Sequence, residues 1–220
     1  MNRLHYIYDP LCGWCYGAAS LARTAAAMTD LPLYLHAGGM LTGRNVRRAT
    51  EMREFELSND LRIAELSGQA FGKDYLDGLL NDPDALFDST PPTAGILAVN
   101  LVTDQPLDML DAIQHALYHD GKCITDKETL SGLAVQVGVD HDLFLAAYGD
   151  VQGKATEEHI AETRQLLASV GGRSFPTFIL EQDDGYHALE FSHYLGHPEQ
   201  WHDYLRALLN GTGRANTAIH

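Results

Sequence analysis

Two cysteines with two residues between them, Cys12 and Cys15, lie where the chain changes from strand-like to helix-like sequence. The preceding residues 4–8 are aromatic and apolar and end at an Asp-Pro turn signal, which predicts a β-strand. The residues from Cys15 to Met28 are rich in alanine and lack proline, which predicts a helix. The cysteine pair therefore restricts the chain to a fold that joins a strand to a helix N-terminus at this point.

The rest of the chain has a clear order of predicted elements. Residues 31–37 alternate apolar and polar side chains and predict a second strand, and residues 50–170 are predicted to be almost entirely helical. Strand character returns at residues 177–180 and 186–191, which flank an Asp-Asp-Gly turn and predict a hairpin. A last helix is expected after the His-Pro pair at 197–198. The predicted order is β-α-β, a helical block, and then α-β-β-α.

Three helices inside the helical block are predicted in detail. Residues 125–128 have the pattern of a capping box and precede apolar residues at helical spacing. Asp140 is expected to cap a helix that begins at His141. Pro106 and Gly121 are expected to bracket a further helix.

The cysteine spacing suits thiol–disulfide exchange. A thiolate is a far better nucleophile than a thiol, and the unpaired backbone N–H groups at a helix N-terminus stabilise negative charge there. Cys12 is therefore the predicted nucleophile, and Cys15, one turn deeper on the same helix face, is predicted to resolve the mixed disulfide. Gly13 and Trp14 form the dipeptide between them, and the Trp14 ring offers an apolar surface for an unfolded peptide.

A second candidate motif, Phe175-Pro176, opens the strand that begins the predicted hairpin. A cis bond before proline is kept only where a tight local geometry demands it. We predict that the Phe175–Pro176 bond is cis and lies against the cysteine pair, where the Phe175 backbone pairs with an extended peptide substrate. Asp9, three residues before Cys12, is predicted to support the site, either by capping the turn after the first strand or by shuttling a proton.

The same cysteine spacing also forms half of a zinc site, which needs two further ligands. The remaining cysteine, Cys123, is alone, and no function is predicted for it. His115, His119 and Cys123 are spaced by four residues, but Gly121 is expected to end the helix before Cys123. No metal site is therefore expected, and the two histidines are predicted to be surface residues. A further alternative is that the paired cysteines are merely buried hydrophobic residues.

Composition restricts the partners and the compartment. The chain has 220 residues and a formal net charge of −15, and such a field repels phosphate backbones and anionic membrane surfaces. Binding to nucleic acid or to a membrane is therefore not expected. Three cysteines cannot form a secreted disulfide framework, and the N-terminus lacks the apolar stretch of a signal peptide. A cytoplasmic location is therefore expected.

The segments Tyr8–Gly17 and Ser174–Phe178 together resemble the DsbA-like thioredoxin superfamily, and within it the FrnE-like branch of cytoplasmic disulfide oxidoreductases and isomerases. The resemblance implies an α/β protein with a thioredoxin-like fold that carries a large all-helical insertion. The implied parts are a discontinuous thioredoxin-like domain of residues 1–45 and 165–212, a helical insertion domain of residues 46–164, and a flexible tail of residues 213–220.

The resemblance also implies dithiol chemistry at Cys12 and Cys15 and a cis-proline loop at Pro176. The predicted function is therefore that of a thiol–disulfide oxidoreductase or protein disulfide isomerase that acts on protein or small-molecule thiols and disulfides. No cofactor is expected, and glutathione is a candidate redox partner. The dipeptide Gly13-Trp14 lacks the histidine found in DsbA itself, which implies a less extreme oxidant.

Two other functions remain open from the sequence. Kappa-class glutathione transferases and hydroxychromene-carboxylate isomerases resemble this architecture and bind glutathione, but they usually have serine at the position of Cys12. The third hypothesis is a redox sensor without turnover, in which the Cys12–Cys15 dithiol switches an interaction surface. The sequence leaves the oligomeric state and the direction of electron flow open.

Overall fold

The computed structural model describes residues 2–212, and the predicted tail at 213–220 lies outside them. The strands in these residues are β1 (Arg3–Tyr8), β2 (Leu33–Ala37), β3 (Arg47–Arg48), β4 (Leu86–Phe87), β5 (Thr177–Gln182) and β6 (Gly185–Leu189). Four of them form one mixed sheet in the order β2-β1-β5-β6, and β3 pairs with β4. In the main sheet β1 runs parallel to β2 and antiparallel to β5. This is the predicted β-α-β unit joined to the predicted hairpin.

Helices fill most of the chain between β2 and β5, as predicted. The α-helices of the described residues are α1 (Gly13–Gly17), α2 (Ala19–Ala26), α3 (Ala49–Ser67), α4 (Thr90–Val102), α5 (Pro106–Tyr118), α6 (Lys127–Gln136), α7 (His141–Val151), α8 (Lys154–Ser169) and α9 (Pro198–Leu209). The α/β class and the thioredoxin-like fold with a helical insertion are therefore confirmed. Within this part of the chain, no helix combines the length and the apolar character needed to cross a bilayer.

The predicted helix ends are correct in two cases and wrong in one. Asp140 caps α7 by accepting the backbone N–H groups of residues 142 and 143, and α5 begins at Pro106. The predicted capping box at 125–128 is wrong, because α6 follows Asp126 at its N-cap and no side chain caps it. The Thr125 hydroxyl lies 3.0 Å from the Cys123 sulfur instead.

The predicted helix from Cys15 to Met28 is broken into α1 and α2. Ala18 separates the two, with φ −88° and ψ 2°. The break follows Gly17, where α3 is so close that a Cβ would lie 2.8 Å from the Ile63 side chain. The Gln69 side chain also donates a hydrogen bond to the Tyr16 carbonyl at 3.0 Å. Contacts with the insertion therefore set a boundary that the local sequence does not indicate.

The main apolar core packs one face of the sheet against the helices, and a smaller cluster of Ile7, Ile179 and Leu167 joins the other face to α8. Its aromatic centre includes Tyr6 stacked on Phe178, with ring centroids 4.6 Å apart, and Trp201 of α9 at 5.0 Å from Phe178. The predicted domain division at residues 45/46 and 164/165 stays a prediction, and its second boundary falls inside α8.

Candidate active site

Cys12 and Cys15 lie at the start of α1, directly after β1 and its turn. Cys12 is the N-cap residue, and its carbonyl accepts the backbone N–H groups of Cys15 at 2.9 Å and Tyr16 at 3.1 Å. Cys12 is 5% exposed and Cys15 is fully buried. Burial, together with the hydrogen bond to Cys12, raises the pKa of the Cys15 thiol well above its usual value. Among residues 2–212, these thiols do not belong to a group of three ligands that could hold a metal ion.

The Phe175–Pro176 peptide bond is cis and lies beside the cysteine pair, as the sequence predicts. The Cys12 thiol is 3.5 Å from the Phe175 carbonyl oxygen, although the two residues are 163 positions apart. Strand pairing explains this contact, because Ile7 near the end of β1 lies opposite Thr177 at the start of β5. The antiparallel pair thus brings the proline loop to the strand end that carries the cysteines.

Gly38, just after β2, makes room for the Phe175 ring. A Cβ at Gly38 would lie 2.0 Å from the Phe175 Cε1 atom, which is far inside van der Waals contact. Gly38→Ala is therefore expected to push the Phe175–Pro176 loop away from Cys12 and to lower disulfide-exchange turnover at least tenfold. We also expect a loss of roughly 1–3 kcal/mol in the free energy of unfolding, as for other overpacked sites.

The matched control for Gly38→Ala is Gly132→Ala in α6. A Cβ at Gly132 meets nothing within 4 Å, so this variant should keep turnover and should lose no stability, since alanine is the better helix former. Turnover with a disulfide-bonded peptide and urea unfolding measure the two effects. Wild-type turnover in Gly38→Ala would show that the position of the proline loop does not matter for exchange.

Asp9 is fully buried at the end of β1. Its Oδ1 atom accepts hydrogen bonds from the Leu11 backbone N–H and the Ser89 hydroxyl, each at 2.9 Å. Its Oδ2 atom accepts from the Met40 backbone N–H, and its own backbone N–H lies 3.5 Å from the Cys15 sulfur. Burial raises the pKa of Asp9 to about 6. The bond to Leu11 is the predicted turn cap, whereas the proton-shuttle role stays a prediction.

Helix α3 of the insertion forms a wall beside the dipeptide. Ile63 and Asp60 atoms lie 3.0 and 3.1 Å from the position of a Cβ on Gly13, so this position has little room for a side chain. The exposed Arg62 guanidinium lies 5.9 Å from the centroid of the Trp14 ring, within the range of a cation–π contact. Trp14 is itself partly exposed. The surface next to Cys12 therefore combines an aromatic ring with a positive charge.

Two acidic side chains, Glu56 and Asp60, are buried on the face of α3 that packs near the dipeptide. They are 5% and 2% exposed. Burial, followed by the charge of Asp60, raises the pKa of Glu56 to about 8. Burial also raises the pKa of Asp60 to about 7, and neither oxygen of its carboxyl group has a hydrogen-bond partner among the described residues. Both groups therefore keep their protons into the neutral pH range.

Several residues that shape the site were missed from the sequence. Ser89 precedes α4, and Arg164 on α8 donates a hydrogen bond to the Gly38 carbonyl at 2.9 Å. Neither residue belongs to a motif, so no sequence signal indicates it. Glu56 and Asp60 are one helical turn apart, which is a detectable pattern, but two carboxylates at that spacing are normally a solvated helix face.

Solved structures of disulfide oxidoreductases are similar to nearly the whole chain. No protein-family model matches, and no curated protein matches. The cytosolic disulfide reductase DsbM from Pseudomonas aeruginosa is 42% identical with a TM-score of 0.89, over 94% of this chain and 98% of that chain. A structure of DsbM with GSH is 40% identical with a TM-score of 0.88, over 94% and 99% of the two chains.

More distant structures share the fold alone. A proposed protein disulfide isomerase from Nitrosomonas europaea is 22% identical with a TM-score of 0.74, over 96% of this chain and 99% of that chain. A 2-hydroxychromene-2-carboxylate isomerase is 15% identical with a TM-score of 0.58, over 96% and 100% of the two chains. Because the similarity to the 2-hydroxychromene-2-carboxylate isomerase shows the fold alone, it does not favour the hydroxychromene-carboxylate isomerase alternative.

The similarity to DsbM extends over nearly the full length of both chains at 42% identity. The chain also has the CxxC pair at the start of a helix and the proline loop in contact with it. The chain therefore belongs to the DsbA-like thioredoxin superfamily of disulfide oxidoreductases, in the branch that includes cytosolic DsbM.

Proposed function

We propose that this oxidoreductase works in the cytoplasm as a glutathione-linked disulfide reductase, with Cys12 as the attacking thiol and Cys15 as the resolving thiol. The unequal positions of the two thiols carry this proposal. Cys12 lies at the helix start with its sulfur 3.5 Å from the Phe175 carbonyl, and Cys15 is fully buried. An attacking thiol must meet the substrate, whereas a resolving thiol needs to reach only the first sulfur.

Reduction proceeds by two exchanges. The Cys12 thiolate attacks one sulfur of the substrate disulfide and forms a mixed disulfide, while the other substrate sulfur leaves and takes up a proton. Cys15 then loses its proton and attacks the Cys12 sulfur, which releases the second substrate thiol and leaves a Cys12–Cys15 disulfide. The same site rearranges disulfides if the released substrate thiol, rather than Cys15, attacks the mixed disulfide.

Glutathione regenerates the dithiol in two further exchanges. One glutathione thiol attacks the Cys12 sulfur, which frees Cys15, and a second attacks the resulting mixed disulfide and leaves as glutathione disulfide. Two electrons and two protons thus pass from two glutathione molecules to one substrate disulfide. The existence of a DsbM structure with GSH supports this partner, and the Arg62 guanidinium near Trp14 offers a cation for its carboxylates.

Trp14, Phe175 and Pro176 are proposed to bind the substrate. Trp14 is partly exposed and adjoins Cys12 through Gly13, so its ring can cover the apolar part of a peptide. The Phe175 backbone beside the Cys12 thiol suits pairing with an extended segment around the substrate disulfide. Gly13 supports this binding surface because it has no side chain, which lets α3 pack close to the dipeptide.

The proposal predicts both a coupled activity and a redox potential. With glutathione, glutathione reductase and NADPH, the protein should reduce insulin catalytically, and omission of glutathione should stop NADPH oxidation. Equilibration in glutathione buffers should give a Cys12–Cys15 potential near the cytosolic poise of about −220 to −260 mV. A potential near about −120 mV, or turnover that does not need glutathione, would contradict a glutathione-linked reductase.

A further inference from the structure

We propose that His115, His119 and Asp120, at the end of α5, form a surface binding site for a borderline divalent transition metal ion such as Zn²⁺. The two imidazole rings meet edge to face, with centroids 4.5 Å apart and an interplanar angle of 71°. The Asp120 Oδ1 atom lies 2.8 Å from the His119 Nδ1 atom and 3.7 Å from the His115 Nδ1 atom. This group of residues is called the α5-end cluster.

The ligand atoms of the α5-end cluster are already close to the spacing that zinc requires. One ligand atom from each residue lies within 4.8 Å of the other two. Two ligand atoms that each lie about 2.0 Å from a tetrahedral zinc ion are about 3.3 Å from each other. The distances of 2.8 and 3.7 Å from the Asp120 Oδ1 atom to the two imidazole nitrogens lie on either side of this value. Small side-chain rotations are therefore sufficient to bring all three atoms onto one ion.

The backbone that carries the α5-end cluster is held in place. The N–H of Asp120 donates to the His115 carbonyl at 3.1 Å, and the N–H of Lys122 donates to the Ala116 carbonyl at 2.8 Å. Gly121 has φ 62° and packs so tightly that a Cβ there would lie 2.3 Å from the Asp74 backbone. Because the turn is fixed before a metal arrives, little conformational entropy is lost on binding.

The donor set selects the class of metal. Two imidazoles favour zinc, copper and nickel, whereas Mg²⁺ and Ca²⁺ prefer oxygen ligands. All three side chains are exposed, so an ion can enter from solvent and keep water in its remaining positions. Lys122 lies 3.5 Å from the Asp120 Oδ2 atom, which leaves Oδ1 to face the imidazoles. The net charge of −15 also draws cations to the protein.

A simple His–Asp ion pair is the competing explanation, and the chain contains such pairs for comparison. His141 lies 3.0 Å from Asp142, and His202 lies 3.3 Å from Asp203. Among residues 2–212, neither pair belongs to a group of three possible metal ligands. The α5-end cluster differs by the second histidine. Cys123 continues the four-residue spacing of the two histidines, but it lies beyond Gly121, and its sulfur lies 3.0 Å from the Thr125 hydroxyl.

The test is calorimetric titration of the full chain with ZnCl₂, using protein whose Cys12–Cys15 pair has been oxidised, because a free dithiol itself binds zinc. We expect one zinc per chain. His115→Ala and His119→Ala should each weaken binding about tenfold or more, and Asp120→Asn should weaken it severalfold, because each removes one ligand. Calcium at the same concentration should not compete.

Two controls keep the outcome decisive. His141→Ala removes an equally exposed histidine, and Cys123→Ser removes the remaining free thiol, and both should bind zinc like the wild type. Circular dichroism should show that all variants are folded, since the replaced side chains other than Cys123 are exposed. Zinc binding that is absent, that is insensitive to His115→Ala and His119→Ala, or that is weakened equally by His141→Ala would overturn the proposal.

Discussion

Replacing Cys12 with serine is expected to lower glutathione-coupled disulfide reduction to the uncatalysed rate, a loss of at least about a thousandfold. The hydroxyl of serine is not a nucleophile toward disulfides under these conditions, so no mixed disulfide forms. Cys15→Ser should lower turnover by a different route, because release of the substrate from Cys12 then depends on attack by external glutathione. It keeps the attacking thiol and lacks the resolving one, so a mixed disulfide with glutathione or substrate should accumulate on Cys12 and be visible by intact mass spectrometry.

The third cysteine provides the matched control for these variants. Cys123 is partly exposed and lies in the insertion beside Thr125, so Cys123→Ser should keep full turnover and give no adduct. If Cys12→Ser remained active, or if the adduct of Cys15→Ser formed on Cys123, the assigned roles of the thiols would be wrong. Turnover of Cys12→Ser at the wild-type rate would also remove the basis for a dithiol mechanism.

Wild-type stability is expected to fall as the pH rises from about 5 to 9, because Glu56 and Asp60 are buried. Their pKa values in the folded state are raised to about 8 and about 7, so the folded protein holds protons that the unfolded chain has released. Their stabilising contribution is full below their unfolded pKa values and is lost as pH passes the folded ones. Each shift spans roughly three to three and a half pH units, so full ionisation withdraws on the order of 4–5 kcal/mol per group.

The pH slope, rather than stability at one pH, isolates this effect. Urea unfolding of the double variant Glu56→Gln with Asp60→Asn should show a free energy of unfolding that changes much less between pH 6 and pH 9, since neither amide titrates. Glu54→Gln, an exposed carboxylate on the same helix, should keep the wild-type slope. An unchanged slope in the double variant would mean that other groups control the pH dependence.

The sheet, the helical insertion and the two motifs were predictable because their signals are local. Apolar alternation marks β2, and the Asp-Asp-Gly turn marks the β5–β6 hairpin. The combination of the CxxC pair and the Phe-Pro motif then predicted the contact between Cys12 and the Phe175–Pro176 loop, which periodicity alone does not give. Motif-based prediction thus covered the reactive thiols and the loop beside them.

The unpredicted features depend on contacts between distant segments. The break at Ala18 coincides with the close approach of Ile63 and Gln69, which lie about fifty positions further along the chain. Burial of Asp60 depends on the packing of α3 against Gly13, and no sequence pattern within α3 indicates this packing. A carboxylate at such a position looks like a surface residue until its neighbours are known.

The hydrogen bonds of Asp9 make the reactive turn and the helical insertion a single cooperative unit. One carboxylate holds the turn before Cys12 through Leu11, the segment after β2 through Met40, and the hydroxyl of Ser89. The backbone N–H of Ser89 in turn donates to the Leu41 carbonyl at 2.8 Å. Local opening at any one of these segments exposes a buried polar partner in the others, so fluctuations there are costly. The geometry around the thiols is thereby tied to the packing of the insertion, and it does not depend on the turn before Cys12 alone.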